Sequence, residues 1–161
     1  MITTKIQITP YLAEYLVAKM NNYSFEPFSI SDDTDLYHLI WKLMARRPSG
    51  VSPNDKGNIT LMLPHRRLGK DPQYFNYLSP KSQEHISRHI KNMFDFDLHE
   101  VMKRNVKDGR PLRDLDVVHQ FMCDYGIESV TEDALVKNYY RWKEKLRKRN
   151  ARSSKQTLKM S

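Results

Sequence analysis

At 161 residues, with 39% hydrophobic and 11% aromatic content, the chain is long enough to bury a core as one domain, or as one domain with an appended unit, without disulfides or metal. Its single cysteine, Cys123, excludes a disulfide framework and a cysteine-built zinc site and suits a reducing cytoplasmic compartment. The net charge of +8 is concentrated: residues 137–161 hold ten lysines and arginines against one glutamate, whereas residues 1–136 hold seventeen against eighteen acidic residues.

Residues 3–9 alternate around Lys5, Ile6, Gln7 and Ile8 and predict a short strand, which opens on a sequence without the charged start and apolar run of an export signal. Pro10 begins a helix over 11–20, with Leu12, Tyr15, Leu16 and Lys19 at helical spacing. Residues 25–30 predict a second strand, irregular or at an edge because of Pro27. Ser31, Asp32, Asp33, Thr34 and Asp35 supply caps for a helix over 36–47, whose apolar stripe is Leu36, Leu39, Ile40, Leu43 and Met44 with Trp41 at its margin.

From Arg47 to Asn58 every kind of turn former occurs, which predicts one long loop and the internal boundary of the chain. Residues 59–63 follow as a strand closed by Pro64, and this longest aliphatic stretch is far too short to span a bilayer. Ser79-Pro80 starts a long helix with a buried stripe of Ile86, Ile90, Met93, Phe94, Leu98 and Val101 to about Arg104, and Asp108-Gly109-Arg110-Pro111 breaks it. No repeat of solenoid length is present.

Residues 112–125 put Leu115, Val118, Phe121 and Met122 on one side of a helix that stops at Gly126-Ile127, glycine being the residue that accepts a positive φ there. Ser129-Val130-Thr131-Glu132 fits a capping box and starts a new helix. Helix, short glycine-containing turn and helix is the helix-turn-helix layout, with Ile127 as the apolar residue tucked between the two. At about 100° per residue the last helix divides into a packing face, Leu135, Tyr139, Trp142 and Leu146, and a cationic face, Lys137, Arg141, Lys145, Lys148 and Arg152. The cationic face suits phosphates or the major groove, with Asn138, Arg141 and Lys145 able to reach base edges and Tyr140 able to add a phosphate contact. A second basic group, residues 65–70 with Arg66 and Arg67, and the pair Arg46 and Arg47 would extend the phosphate footprint.

Other reactive residues carry less. His85 and His89 stand four apart on a helix, but no glutamate completes a metalloprotease pattern, so no metal is expected. Asp95, Asp97 and Glu100 near His99 fit the solvent side of an amphipathic helix, and Cys123, next to Met122 and Phe121, reads as a small residue at least half-buried with no cationic neighbour. Gly50, Gly57 and Gly69 lack the spacing of a phosphate-cradling loop, and no cofactor or small-molecule substrate is expected.

The stretches Phe121-Met122-Cys123-Asp124-Tyr125-Gly126-Ile127 and Asp133-Ala134-Leu135-Val136-Lys137-Asn138-Tyr139-Tyr140-Arg141-Trp142 resemble small uncharacterised proteins of bacterial phages and other mobile elements. That resemblance implies a bacterial cytoplasmic protein of prophage origin that acts on DNA, and it assigns no functional residue.

The expected fold is α+β and mainly helical: an α/β part over 1–78 with a two- or three-stranded sheet, a helical part over 79–150 containing the helix-turn-helix-like pair 112–149, and a disordered basic tail over 151–161. The expected function is non-enzymatic DNA binding, as a transcriptional regulator or a replication or recombination accessory protein, in a form for which a homodimer would match paired half-sites. The alternative is an assembly protein whose basic arm docks on an acidic partner or on nucleic acid without sequence choice. RNA is a weaker fit, because no exposed aromatic strand motif is present.

Overall fold

A computed structural model describes residues 2–21, 27 and 29–160. The fold is α+β and mainly helical, in the order β1 (Thr3–Ile6), α1 (Pro10–Asn21), α2 (Asp35–Leu43), β2 (Ile59–Met62), α3 (Pro80–Lys107), α4 (Asp114–Tyr125) and α5 (Glu132–Met160). Half of the expected second strand, Phe25, Glu26 and Phe28, lies outside the described residues, and Pro27, Ser29 and Ile30 are in no strand. The sheet among the described residues is therefore two-stranded.

Two compact units divide the chain. The first comprises Met1–Asp95 with Tyr125–Ser129, the second Phe96–Asp124 with Val130–Ser161. The division thus falls inside α3 and not at the loop over 48–58 or at residue 78, where the sequence suggested it. The reason is that α3 keeps burying side chains along its whole length, Ile86, Ile90 and Phe94 in its first half and Leu98, Met102 and Asn105 in its second.

In the first unit β1 and β2 pair antiparallel, Thr3 opposite Met62 and Ile6 opposite Ile59. The pleat alternates as the pattern requires: Thr4, Ile6 and Ile8 are buried while Lys5 and Gln7 face out. Thr4 is the exception in kind, since its Oγ1 is buried without a hydrogen-bond partner among the described residues. Ile59, Leu61 and Leu63 complete the inner face, and Leu12, Tyr15 and Leu16 of α1 with Leu36, Ile40 and Met44 close the core over it. Tyr15 meets the Phe94 ring edge-on at 5.3 Å, which fixes α1 against the first half of α3.

The long loop is held by two asparagines that treat a peptide as a strand would. Asn54 donates Nδ2 to the carbonyl of Leu78 (3.0 Å) and accepts the Leu78 N–H (2.7 Å); Asn58 does the same to Ile8, at 2.7 and 2.9 Å. Each amide supplies a donor and an acceptor at once, so the loop is a tied part of the first unit. Gly57 is required there by close approach: a Cβ would stand 2.2 Å from the Ile6 carbonyl oxygen.

The helix expected over 36–47 ends earlier, at Leu43. Lys70 donates Nζ to the carbonyls of Trp41 (3.0 Å) and Lys42 (2.7 Å), and Ala45 leaves the helix to exchange two 3.0 Å backbone bonds with Tyr77. A cation on the last carbonyls and a competing bridge together stop the helix. Thr34 caps its start, accepting the Tyr37 N–H at 3.2 Å.

In the second unit Leu98 and Met102 of α3, Val117, Val118 and Phe121 of α4, and Leu135 and Tyr139 of α5 are buried. The stripe of α4 sits one position round from expectation: Val117 is inside and Leu115 exposed. Asn105 repeats the asparagine clamp on Leu112, at 2.8 and 3.2 Å, and orders the chain between α3 and α4. α5 runs on to Met160, so residues 151–160 continue a helix where a disordered tail was expected. Among the described residues, no helix is long and apolar enough to cross a membrane.

Candidate nucleic-acid interface

Thr131 caps the start of α5, its Oγ1 accepting the Ala134 N–H at 3.1 Å; the expected capping role of Ser129 is not formed. The Ser129 N–H instead goes to Oε1 of Glu14 in α1 (2.9 Å), which also accepts the Glu128 N–H at 3.2 Å. Ile127 is buried as expected, within a turn tied to α1 in the first unit. Gly126 takes a φ of 61°, the positive value that a helix stop at this position requires.

Side chains tie α5 to its unit over its first three turns. His99, 6% exposed, donates Nε2 to Oδ1 of Asn138 (2.7 Å) and stacks on Trp142 with ring centres 4.4 Å apart. Tyr140 donates its hydroxyl to Oδ2 of Asp114 and His119 Nδ1 meets Oε1 of Glu132, both at 2.5 Å. These two α4–α5 pairs run in opposite order along the helices, the sense of an antiparallel helical hairpin. The link of six residues between Tyr125 and Glu132 is also longer than the three or four of a helix-turn-helix.

These ties redistribute the expected site residues. Asn138 is half-buried with its amide oxygen on His99, so it anchors α5 and is not offered to a base. Tyr140 is spoken for by Asp114, whose hydrogen bond first, then burial, raises its pKa; burial does the same to Tyr139. Lys137 is exposed but paired with Asp133 at 3.0 Å, and Arg147 with Glu144 at 2.7 Å. That last hydrogen bond holds the Glu144 carboxyl below its ordinary range and the guanidinium above its own.

What remains is a line. Packing runs out at Trp142, and from Glu144 to Gln156 every residue is exposed, Leu146 included. Arg141, Lys145, Lys148, Arg152 and Lys155 are all exposed and, at about 100° per residue, lie within about 80° of one another on the helix. They extend over about 21 Å at about 1.5 Å per residue. Arg149 stands beside them, and Lys145, Lys148, Arg149, Arg152, Ser153 and Gln156 line one shallow surface. Lys155 and Arg149 add to the cations expected from the sequence, and the helical continuation past Asn150 is what aligns Lys155.

Arg66 and Arg67 belong to the first unit. Arg66 is built into it, its guanidinium 5.4 Å above the Tyr37 ring and 5.0 Å above Trp41, with a contact to Nδ1 of His38, while Arg67 is exposed. Lys70 serves the end of α2, as described, and burial lowers its pKa.

Cys123 differs from expectation in being exposed, with the imidazole Nε2 of His119 at 3.6 Å from its sulfur, because i,i+4 spacing puts both on one face of α4. Lys91 pairs with Asp95 at 2.9 Å, and no group of three or more His, Cys, Asp or Glu side chains able to hold a metal ion occurs among the described residues. The class of protein defined by this arrangement is a mainly helical α+β chain with a long cationic helix. No family model, curated protein or solved structure matches the chain.

Proposed function

We propose that this protein binds double-stranded DNA without catalysing a reaction on it, through the row Arg141, Lys145, Lys148, Arg152 and Lys155. The observation that carries the reading is the row itself: five exposed cations on one side of a helix in which every residue from Glu144 to Gln156 is exposed. Solubility does not require such alignment, and pairing with the C-terminal end of the helix dipole extends only over the last turn. An even line of positive charge matches a line of phosphates and gains by releasing their counterions.

Phosphate contact dominates in this reading. Asn138, the best adenine reader in the sequence, is held by His99, and base reading falls to Arg141 and Lys145 alone. That favours a replication, recombination or packaging accessory of a phage or mobile element, working in a bacterial cytoplasm, over a regulator of one operator. The test is competition. A labelled mixed-sequence duplex should bind at low salt, be displaced by excess unrelated duplex, and be bound far more weakly by the triple variant Lys145→Gln, Lys148→Gln, Arg152→Gln. Retention of one preferred site against excess competitor would favour a regulator, and equal binding by the triple variant would remove the reading.

A further inference from the structure

A further cleft is lined entirely by residues of the first unit. Where α2 stops at Leu43, the chain turns to bridge Tyr77 through Ala45, and this delivers Arg46 and Arg47 to the rim of a cleft of about 540 Å³. Thr3, Gln73, Tyr74 and Asn76 line it with them, and among the described residues no acidic side chain does. Its volume falls within the roughly 300–1,000 Å³ of small-molecule sites.

The cleft is braced. The Arg46 guanidinium lies 4.9 Å from the Phe75 ring centre and 5.9 Å from that of Tyr74, which orients its plane while leaving N–H groups at its edge for a ligand. Asn54, another lining residue, clamps Leu78 and so fixes the loop that forms one wall, and the Asn76 amide donates to the Gln73 carbonyl at 3.1 Å to shape the other. Neither Arg46 nor Arg47 has a carboxylate partner among the described residues. Tyr74 is 56% exposed, a large ring left in water beside two guanidinium groups.

Two unneutralised guanidiniums call for a phosphate, and an exposed ring beside them calls for a planar apolar group. We propose that this cleft binds one nucleotide unit, its phosphate between Arg46 and Arg47 and its base against Tyr74, with the Gln73 and Asn76 amides at the polar edges. The ligand is either a free nucleotide or one residue of a single strand. This proposal is independent of the α5 row.

Thymidine 5′-monophosphate, thymidine, inorganic phosphate and a short oligothymidine are titrated into the full chain while the side-chain amide resonances of Asn54, Gln73 and Asn76 are followed. The monophosphate should bind about tenfold more tightly than either phosphate or thymidine, since each half supplies part of the affinity. Arg47→Gln should weaken it about tenfold, and Tyr74→Leu should reduce it to the level of phosphate. Both positions are exposed, so these variants stay folded even if Arg46→Gln loosens Phe75. Lys145→Gln with Lys148→Gln should leave it unchanged. Tighter binding of the oligonucleotide than of the monophosphate identifies a strand as the source, and equal binding identifies a free nucleotide. If phosphate matches the monophosphate and Tyr74→Leu has no effect, or if the resonances that move are those of α5, the proposal is overturned.

Discussion

Replacing Lys145 and Lys148 by glutamine should change how DNA binding responds to salt by an amount that follows from the row on α5. Each phosphate neutralised on a duplex contributes a slope of about −0.9 to the logarithm of affinity against the logarithm of salt. Five contacts, from Arg141, Lys145, Lys148, Arg152 and Lys155, give about −4.5, so raising salt from about 50 to 200 mM should weaken binding about 500-fold. The double variant keeps three, a slope of about −2.7 and a loss of about 40-fold over the same range. Stability should move by less than about 0.5 kcal/mol, because both side chains are exposed and each faces a like charge four residues away, Lys145 to Arg149 and Lys148 to Arg152. Fluorescence anisotropy across a salt series measures the slopes. Lys137→Gln is the internal control: its ammonium is paired with Asp133, so the slope should stay near the wild-type value. A wild-type slope near −1, or a double variant with an unchanged slope, would refute the assignment of phosphates to this row.

Three further outcomes are expected of the fold. Gly57→Ala should cost about 3 kcal/mol in urea denaturation, because the new Cβ meets the Ile6 backbone at 2.2 Å, whereas Gly50→Ala, at a φ of 77° with nothing within 4 Å, should cost only about 1 kcal/mol; equal costs would mean that crowding at Ile6 is relieved easily. Thr4→Val should raise stability by about 1 kcal/mol by removing a buried hydroxyl that has no partner among the described residues, and a loss instead would reveal that Oγ1 is satisfied in solution. Burial raises the pKa of Tyr11 and of Tyr139, so the folded chain holds these protons more tightly than the unfolded one. Their contribution is complete below the unfolded value of about 10 and is lost as pH rises through the raised folded values. The urea midpoint should therefore fall above about pH 10, less steeply in Tyr11→Phe and Tyr139→Phe, and identical alkaline profiles for all three proteins would contradict it.

Much of the chain was legible because local rules and tertiary demands coincide. The alternation of Ile6 and Ile8, the caps before Leu36, the Ser79-Pro80 start of α3 and the Gly126 stop of α4 each carry their physical reason within a few residues, and each element forms there. The separation of α5 into faces was legible too, since a helical period and ten basic residues suffice to compute it.

Other features depend on partners distant in sequence. Asn54, Asn58 and Asn105 look like turn formers until Leu78, Ile8 and Leu112 supply the peptides they clamp. Ser129 looks like a cap until Glu14, more than a hundred residues earlier, takes its N–H, and Asn138 and Tyr140 look like ligand contacts until His99 and Asp114 occupy them. Cys123 shows its exposure only once Val117, Val118 and Phe121 fix which side of α4 faces in. The sequence by itself therefore determined where positive charge lies and which residues alternate, because these are properties of spacing. Tertiary structure decided which polar groups remain available to a ligand, because hydrogen-bonding capacity is used up by whichever partner the fold brings within about 3 Å.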